Sequence, residues 1–339
     1  MNETNSVFET MPDVSIIIPL YNKALYISET ISSILAQTIT DWELWVVDNG
    51  STDGGEAIAQ DYTQVDPRVH LINCPIRTGG PGAPRNFGLE HTSGKWILFL
   101  DGDDLLEPNY LEQQLAVAQQ NPQADIIVGA WQEFTDSNPN HRVLKYPLGL
   151  GKSLQLLKDN AIAFAPWAVH AALIKRAVLS SDRRWPEELD RYLGEDIAFW
   201  FRLISQCQVI YSQSNGALYR TQTDQCRTQN QDPEKWFAGV HNAIKLNQQY
   251  WQRTKGEFTC GQCEALMRVY SELYLLAKQN QSSSIELKSL SLAQHWLEHY
   301  FIVTRKPTFS MLLRRLIGIP LGINISLVFK RKHNIPIKK

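Results

Sequence analysis

The chain lacks the basic and apolar opening of a secretory signal, since Met1 to Asp13 is polar and carries acidic residues. Cysteine is sparse. The five residues Cys74, Cys207, Cys226, Cys260 and Cys263 are odd in number and scattered, which argues against a disulfide framework and for a reduced, cytoplasmic setting. No internal repeat is visible. No Gly-x-Gly-x-x-Gly follows the first apolar run, which removes the dinucleotide-binding dehydrogenases. Cys260-Gly261-Gln262-Cys263 has no second pair for zinc and no strand before it for a redox motif. Acidic residues are missing beyond position 300, where nine Lys and Arg stand.

That last absence hides behind a net charge of −2, because the rest of the chain carries 24 basic residues against 35 acidic ones. An acidic body with a basic tail does not suit a nucleic-acid binder. A tail that seeks anionic lipid suits it better. The apolar part of the tail runs from Met311 to Phe329 with interrupting Pro and Gly, short of the ~20 residues that span a bilayer. It suits either interfacial binding or packing as a helix on the main domain.

With 43% hydrophobic and 20% charged residues, the 339-residue chain is ordinary for a globular protein and long enough for one large domain or two smaller ones. Apolar runs at Val14–Ile18, Leu44–Val47, Val69–Ile72, Trp96–Leu100 and Ile126–Gly129 predict strands, the first ending at Pro19. Helical spacing of Ile27, Ile31, Ile34 and Leu35, and a stretch near Asn109–Gln120, predict helices between them. Strands alternating with helices imply an α/β fold with a doubly wound, mainly parallel sheet. Residues 133–152 read as a flexible excursion. Ile197, Trp200, Phe201 and Ile204 mark a further helix, Gln208–Tyr211 and Ala217–Tyr219 short strands, and Trp236–His299 a helical extension. On it, Trp296, Tyr300 and Phe301 read as helix packing.

Asp101-Gly102-Asp103-Asp104 crowds three carboxylates at the end of the Trp96–Leu100 strand. In open α/β sheets ligands bind at the carboxyl ends of strands, so these acids belong at the mouth of a site. Carboxylates so close repel unless a cation joins them, and a hard divalent ion shared with ligand phosphates is the economical partner.

These residues resemble a family 2 glycosyltransferase of the GT-A type. The match is carried in order by Val14–Lys23, Val46–Asp53, Ala83–Leu89, Gly94–Asp104 and Gly194-Glu195-Asp196, over roughly residues 12–228. The resemblance implies a metal-dependent, inverting transfer from a nucleotide-diphosphate sugar to a glycan or lipid-linked acceptor, as in cell-surface polysaccharide synthesis. Asp101 and Asp103 would hold Mn²⁺ or Mg²⁺, Asp103 most directly and Asp101 turned to the ribose or a metal-bound water. Asp104 would accept a hydrogen bond or cap the next helix. Pro19, Tyr21, Asp48 and Asn49 would frame base and ribose, and Arg85, Gly80 and Arg220 the diphosphate, with Arg227 as further support. Asp48 also reads as a turn former, Arg85 as a structural ion-pair residue, and Gly79, Gly80 and Gly82 as loop shapers. Asp196 would be the general base at a helix N-terminus, with Glu195 orienting it or touching the acceptor.

The chain departs from the family pattern at Asn49, where a second Asp is usual, and at Gln222, where His is frequent. These departures leave open a nucleotide-sugar binder without turnover. A nucleotidyltransferase would need a Gly-rich basic loop after the first strand, which Pro19–Lys23 does not provide. The division expected is a flexible 1–12, a catalytic domain at 13–228, a helical extension at 229–304 and a basic amphipathic tail at 305–339. The tail would hold the protein at the inner face of the plasma membrane, and no nucleic-acid partner is expected.

Overall fold

The computed structural model describes residues 11–223, 232–304 and 307–319. The first elements are β1 (Val14–Leu20), α1 (Ile27–Leu35), β2 (Trp42–Asp48), α2 (Gly55–Val65), β3 (Val69–Asn73), α3 (Gly82–His91) and β4 (Trp96–Phe99). Then come β5 (Leu105–Leu106), α4 (Tyr110–Gln120), β6 (Ile126–Val128), β7 (Trp131–Thr135), β8 (Asn138–Lys145), α5 (Leu154–Ala161) and β9 (Ala172–Lys175). The chain continues through α6 (Glu195–Ile204), β10 (Val209–Tyr211), β11 (Ala217–Arg220), α7 (Pro233–Thr254), α8 (Cys260–Gln279), α9 (Ser283–Val303) and α10 (Phe309–Ile317). Two compact units result. The first takes residues 1–151, 167–191 and 202–229; the second takes 152–166, 192–201 and 230–339. Two short segments of the expected 13–228 domain therefore group with the helical extension.

In the first unit a seven-stranded sheet has the order β10-β6-β9-β4-β1-β2-β3. Strands β1 to β4 are parallel, and β9 runs antiparallel between β4 and β6. The sheet is thus mixed. Ile16, Ile17 and Ile18 are fully buried, as a central strand covered on both faces requires. Pro19 does not end β1. Ile17 bonds toward β4 through Leu100, so Pro19, two residues on, turns its missing N–H to the same side, past the last pairing of Ile17 with Phe99. From β1 the chain steps outward to β2 and β3 on one side, and β4 lies on the other. The ends of β1 and β4 therefore flank a topological switch point.

A second sheet, ordered β5-β11-β7-β8, corrects the expectation of a flexible 133–152. Strands β7 and β8 form an antiparallel hairpin there. β8 is an exposed edge strand carrying Pro139, and such a strand has the polar composition of a loop.

In the second unit α8 and α9 pack along their length. Trp296 and Tyr300 are buried on α9, and Phe258 meets the Trp296 ring edge-on at 5.2 Å. Cys260-Gly261-Gln262-Cys263 is the first turn of α8, closed by a capping box between Thr259 and Gln262. Burial pushes the Cys263 thiol up to about 12, so it is inert packing. Met311 on α10 and Ile319 beyond it are buried, whereas Leu316 is exposed. Residues 320–339 and Arg227 lie outside the described residues. No helix among those described is long and apolar enough to cross a membrane.

Candidate active site at the strand ends

The acid turn begins where β4 leaves the sheet. Leu100 donates its N–H to the Ile17 carbonyl, and the Asp104 N–H closes a turn on the Asp101 carbonyl at 3.0 Å. The three carboxylates then go to different partners. Asp101 Oδ1 takes an ion pair from Arg85 Nη2 at 2.5 Å, and the Arg85 side chain is 3% exposed. Enclosure by the protein works to raise the Asp101 pKa. The Arg85 charge and hydrogen bond outweigh it, aided by His170 and Lys23, and hold the group below the ordinary carboxylate range. Asp103 Oδ2 accepts from Lys23 Nζ at 2.6 Å.

Asp104 points inward. Its Oδ1 accepts the backbone N–H of Arg220 at 2.8 Å, and its Oδ2 stands 3.1 Å from His170 Nδ1, both side chains 1% exposed. The His170 pair is a close ion-pair contact, and among the described residues neither ring nitrogen nor Asp104 Oδ2 has a further partner. Burial pushes the Asp104 carboxyl up to about 6, with the charges of Asp103 and Asp101 adding and His170 opposing. The attraction of the Asp104 charge outweighs burial at His170 and raises its pKa.

Arg220 braces this turn from below. Its Nε donates to the Asp103 carbonyl at 2.8 Å, Nη2 pairs with Glu29 at 2.6 Å, and Nη1 pairs with Asp136. The guanidinium sits between the rings of Tyr26 and Phe134, 5.1 Å and 4.9 Å from their centres. All three guanidinium nitrogens are thus engaged by protein. The sequence expected this arginine at the diphosphate, and its partners on α1 and in the β7–β8 turn have no signal near position 220.

At the end of β2 the Asp48 carboxylate accepts the N–H groups of Gly50 at 2.7 Å and Ser51 at 3.2 Å, an Asx turn. Asn49 is buried beside it. Its Nδ2 faces the Gly80 carbonyl at 3.4 Å, which leaves Oδ1 buried and without a partner among the described residues. Gly50 has φ +91°, and a Cβ there would stand 2.6 Å from Arg77 Nη1. The Arg77 guanidinium therefore lies on this turn. Sequence reasoning passed over Arg77; a cation flanking the Gly-rich loop was the available signal. Tyr21 is exposed after β1, and Asn22, at φ +50°, takes the Thr52 N–H on its Oδ1 at 2.8 Å, tying the two strand ends together.

The loop before α3 is shaped by a residue that sequence reading missed. Asp190 is fully buried, and its carboxylate accepts the N–H groups of Gly82 at 2.8 Å and Ala83 at 2.9 Å and the Thr78 hydroxyl. An anion at a helix N-terminus satisfies donors the helix leaves open. A Cβ on Gly80 would stand 2.4 Å from the Asp190 carbonyl oxygen, so the loop passes there only as glycine.

Glu195 and Asp196 begin α6 and belong to the second unit. Asp196 Oδ1 accepts the Ile197 N–H at 2.9 Å, and the buried Glu195 accepts the Gly194 N–H at 3.1 Å. Asn247 holds the same unit together by donating to the Ile162 carbonyl at 3.0 Å.

Among the described residues no three His, Cys, Asp or Glu side chains gather as a metal cage. The donor set at the acid turn is a pair of carboxylates, hard oxygen ligands that suit Mg²⁺ or Mn²⁺ sharing its shell with phosphates and water. The residues present fit such an ion.

Residues 15–181 match the family model described as glycosyl transferase family 2. The putative teichuronic acid biosynthesis glycosyltransferase TuaG of Bacillus subtilis is 35% identical over 139 residues, 41% of this chain and 55% of that protein. The chain spans about half the length of the curated relatives it matches. Among solved structures, S. aureus TarS 1-349 in complex with UDP-GlcNAc is similar with TM-score 0.67 and 19% identity, covering 94% of this chain and 92% of that one. The mannosyltransferase PcManGT of Pyrobaculum calidifontis, solved with GDP-Man and Mn²⁺, is similar with TM-score 0.52 and 18% identity, covering 93% and 81%. The structural likeness establishes the GT-A fold. Residues 15–181, which carry the strand ends and the acid turn, are thus similar to the glycosyl transferases of family 2.

Proposed function

We propose that this protein transfers a sugar from a nucleotide-diphosphate donor to a hydroxyl of a glycan or lipid-linked acceptor, with inversion, in the building of a cell-envelope polysaccharide. The observation that carries the reading is the placement of Asp101 and Asp103 at the β1/β4 switch point and of Asn49, just past the end of the neighbouring β2, whose buried acceptor has no partner among the described residues. The names of the relatives support a nucleotide sugar and an envelope polymer.

Asn49 Oδ1 accepts an imide N–H of the base, while the exposed Tyr21 ring offers it a stacking face. Arg85 keeps Asp101 ionised and in place. Asp101 and Asp103 would hold Mn²⁺ or Mg²⁺, which when bound neutralises the leaving diphosphate as a Lewis acid. Asp196 takes the proton of the attacking hydroxyl on its carboxylate as the new bond forms, and Glu195 fixes its turn. The basic tail brings the protein to anionic lipid at the inner membrane face, where salt screening within about 8 Å weakens the attachment.

Thermal unfolding across a panel of nucleotide sugars, with Mn²⁺ or with excess chelator, tests the reading. One donor class should raise the melting temperature only with the metal, and Asp103→Ala should lose that gain while keeping its fold. Equal stabilisation in chelator would remove the metal from the proposal. Donor binding with no turnover on any acceptor would favour a sugar-nucleotide binder.

A further inference from the structure

The two carboxylates of the acid turn are each held by a cation, and the cations differ in freedom. Arg85 is 3% exposed, and its guanidinium lies 4.1 Å from the centre of the Trp185 ring, so it has nowhere to go. Lys23 has a long, partly exposed side chain on a fixed root, its ammonium 5.8 Å from the centre of the Tyr26 ring. Its carbonyl accepts the N–H groups of Tyr26 and Ile27, both at 2.9 Å, which pins its backbone to the start of α1. Its stem passes 3.6 Å from where a Cβ of Gly102 would stand, its ammonium reaches Asp103 Oδ2 at 2.6 Å, and the side chain as a whole is 18% exposed. A lysine ammonium on four methylenes swings by rotamer change, whereas a stacked guanidinium does not.

A divalent cation on Asp103 meets this ammonium at close range, where two positive charges repel strongly. We propose that Lys23 is a built-in counter-ion that opposes the metal at Asp103 and, when displaced, turns its charge to the donor diphosphate. Metal and donor then bind as a pair, because the phosphate charge that arrives with the donor accepts both cations. This rests on the reading of Asp101 and Asp103 as the metal-holding residues. Lys23 acts on the metal through Asp103 and on the donor through its own charge. Coupling of this kind is reciprocal, so each of the two ligands tightens the other.

Mn²⁺ alone, titrated into the full-length protein and followed by the electron paramagnetic resonance signal of the free ion, gives the test without any turnover. Lys23→Met should bind Mn²⁺ at least tenfold more tightly than wild type, and Lys23→Arg, which keeps the charge, should stay within about twofold. Lys23→Gln repeats the measurement with a polar side chain, and circular dichroism verifies the fold of each variant. Equal or weaker Mn²⁺ binding in Lys23→Met and Lys23→Gln would overturn the role of Lys23 and leave the metal reading standing. Binding that is the same in wild type, Lys23→Met and Asp103→Asn would overturn both.

Discussion

Arg85 and Trp185 form a stacked pair in which the indole holds the cation that in turn holds Asp101. Trp185 is buried and meets Phe99, the last residue of β4, edge-on at 5.4 Å. The strand that carries the acid turn and the arginine that neutralises it thus share one aromatic support. Replacing Trp185 by Leu removes the cation–π contact and part of the core beneath β4. Urea unfolding should show a loss of roughly 2–4 kcal/mol. A loss under 1 kcal/mol would mean that Arg85 does not depend on the ring.

The second prediction concerns α6. Asp196→Asn keeps the shape of the first turn, including an oxygen for the Ile197 N–H, and removes the proton acceptor. Donor binding should survive while glycosyl transfer falls by roughly 10²-fold or more. Wild-type transfer with collapsed donor affinity would instead make Asp196 a donor ligand.

A third prediction follows from Glu43, away from the site. Burial works to raise its pKa, but hydrogen bonds from Ser15, from the Ser93 N–H and hydroxyl, and from the Trp45 indole outweigh it and lower the group. A carboxylate whose folded pKa is depressed contributes stability above its unfolded value, and that contribution is lost as pH falls through the folded one. Glu43→Gln should therefore cost on the order of 1 kcal/mol at pH 7, with partial exposure taken into account. The difference from wild type should shrink as pH drops below the ordinary glutamate range near 4.3. A difference independent of pH from 7 to 3 would show that shape, not charge, is what Glu43 provides.

The parallel core of the fold was legible because β1, β2 and β4 are continuous apolar runs that end in polar turns, and the acids at the end of β4 announce themselves. Ala172–Lys175 escaped because four residues with one lysine carry no period, and its antiparallel insertion between β4 and β6 is decided by partners far along the chain. The β7–β8 hairpin was hidden by the polarity of an exposed edge. At the site, local signals named Asp101, Asp103, Asp48 and Arg85, whose nearest neighbours are set by strand ends. Arg220, Asp190 and His170 act across separations of 60 residues or more, and nothing adjacent to them in the sequence discloses what they touch.

The grip of Asp190 on the loop at Thr78–Ala83 has a consequence for the order in which the protein acquires its shape. The pin lies 107 positions after Ala83, and nine beyond residue 181, where the family match ends. A chain emerging during synthesis has the four parallel strands β1 to β4 well before it has the residue that seats the loop at their ends. Closing so long a loop comes late and slowly. Until residue 190 arrives, the half-made domain owns its acids and strands β1 to β4 but not the carboxylate that seats the loop, so a chain cut at 181 should keep those strands and leave Thr78–Ala83 unseated.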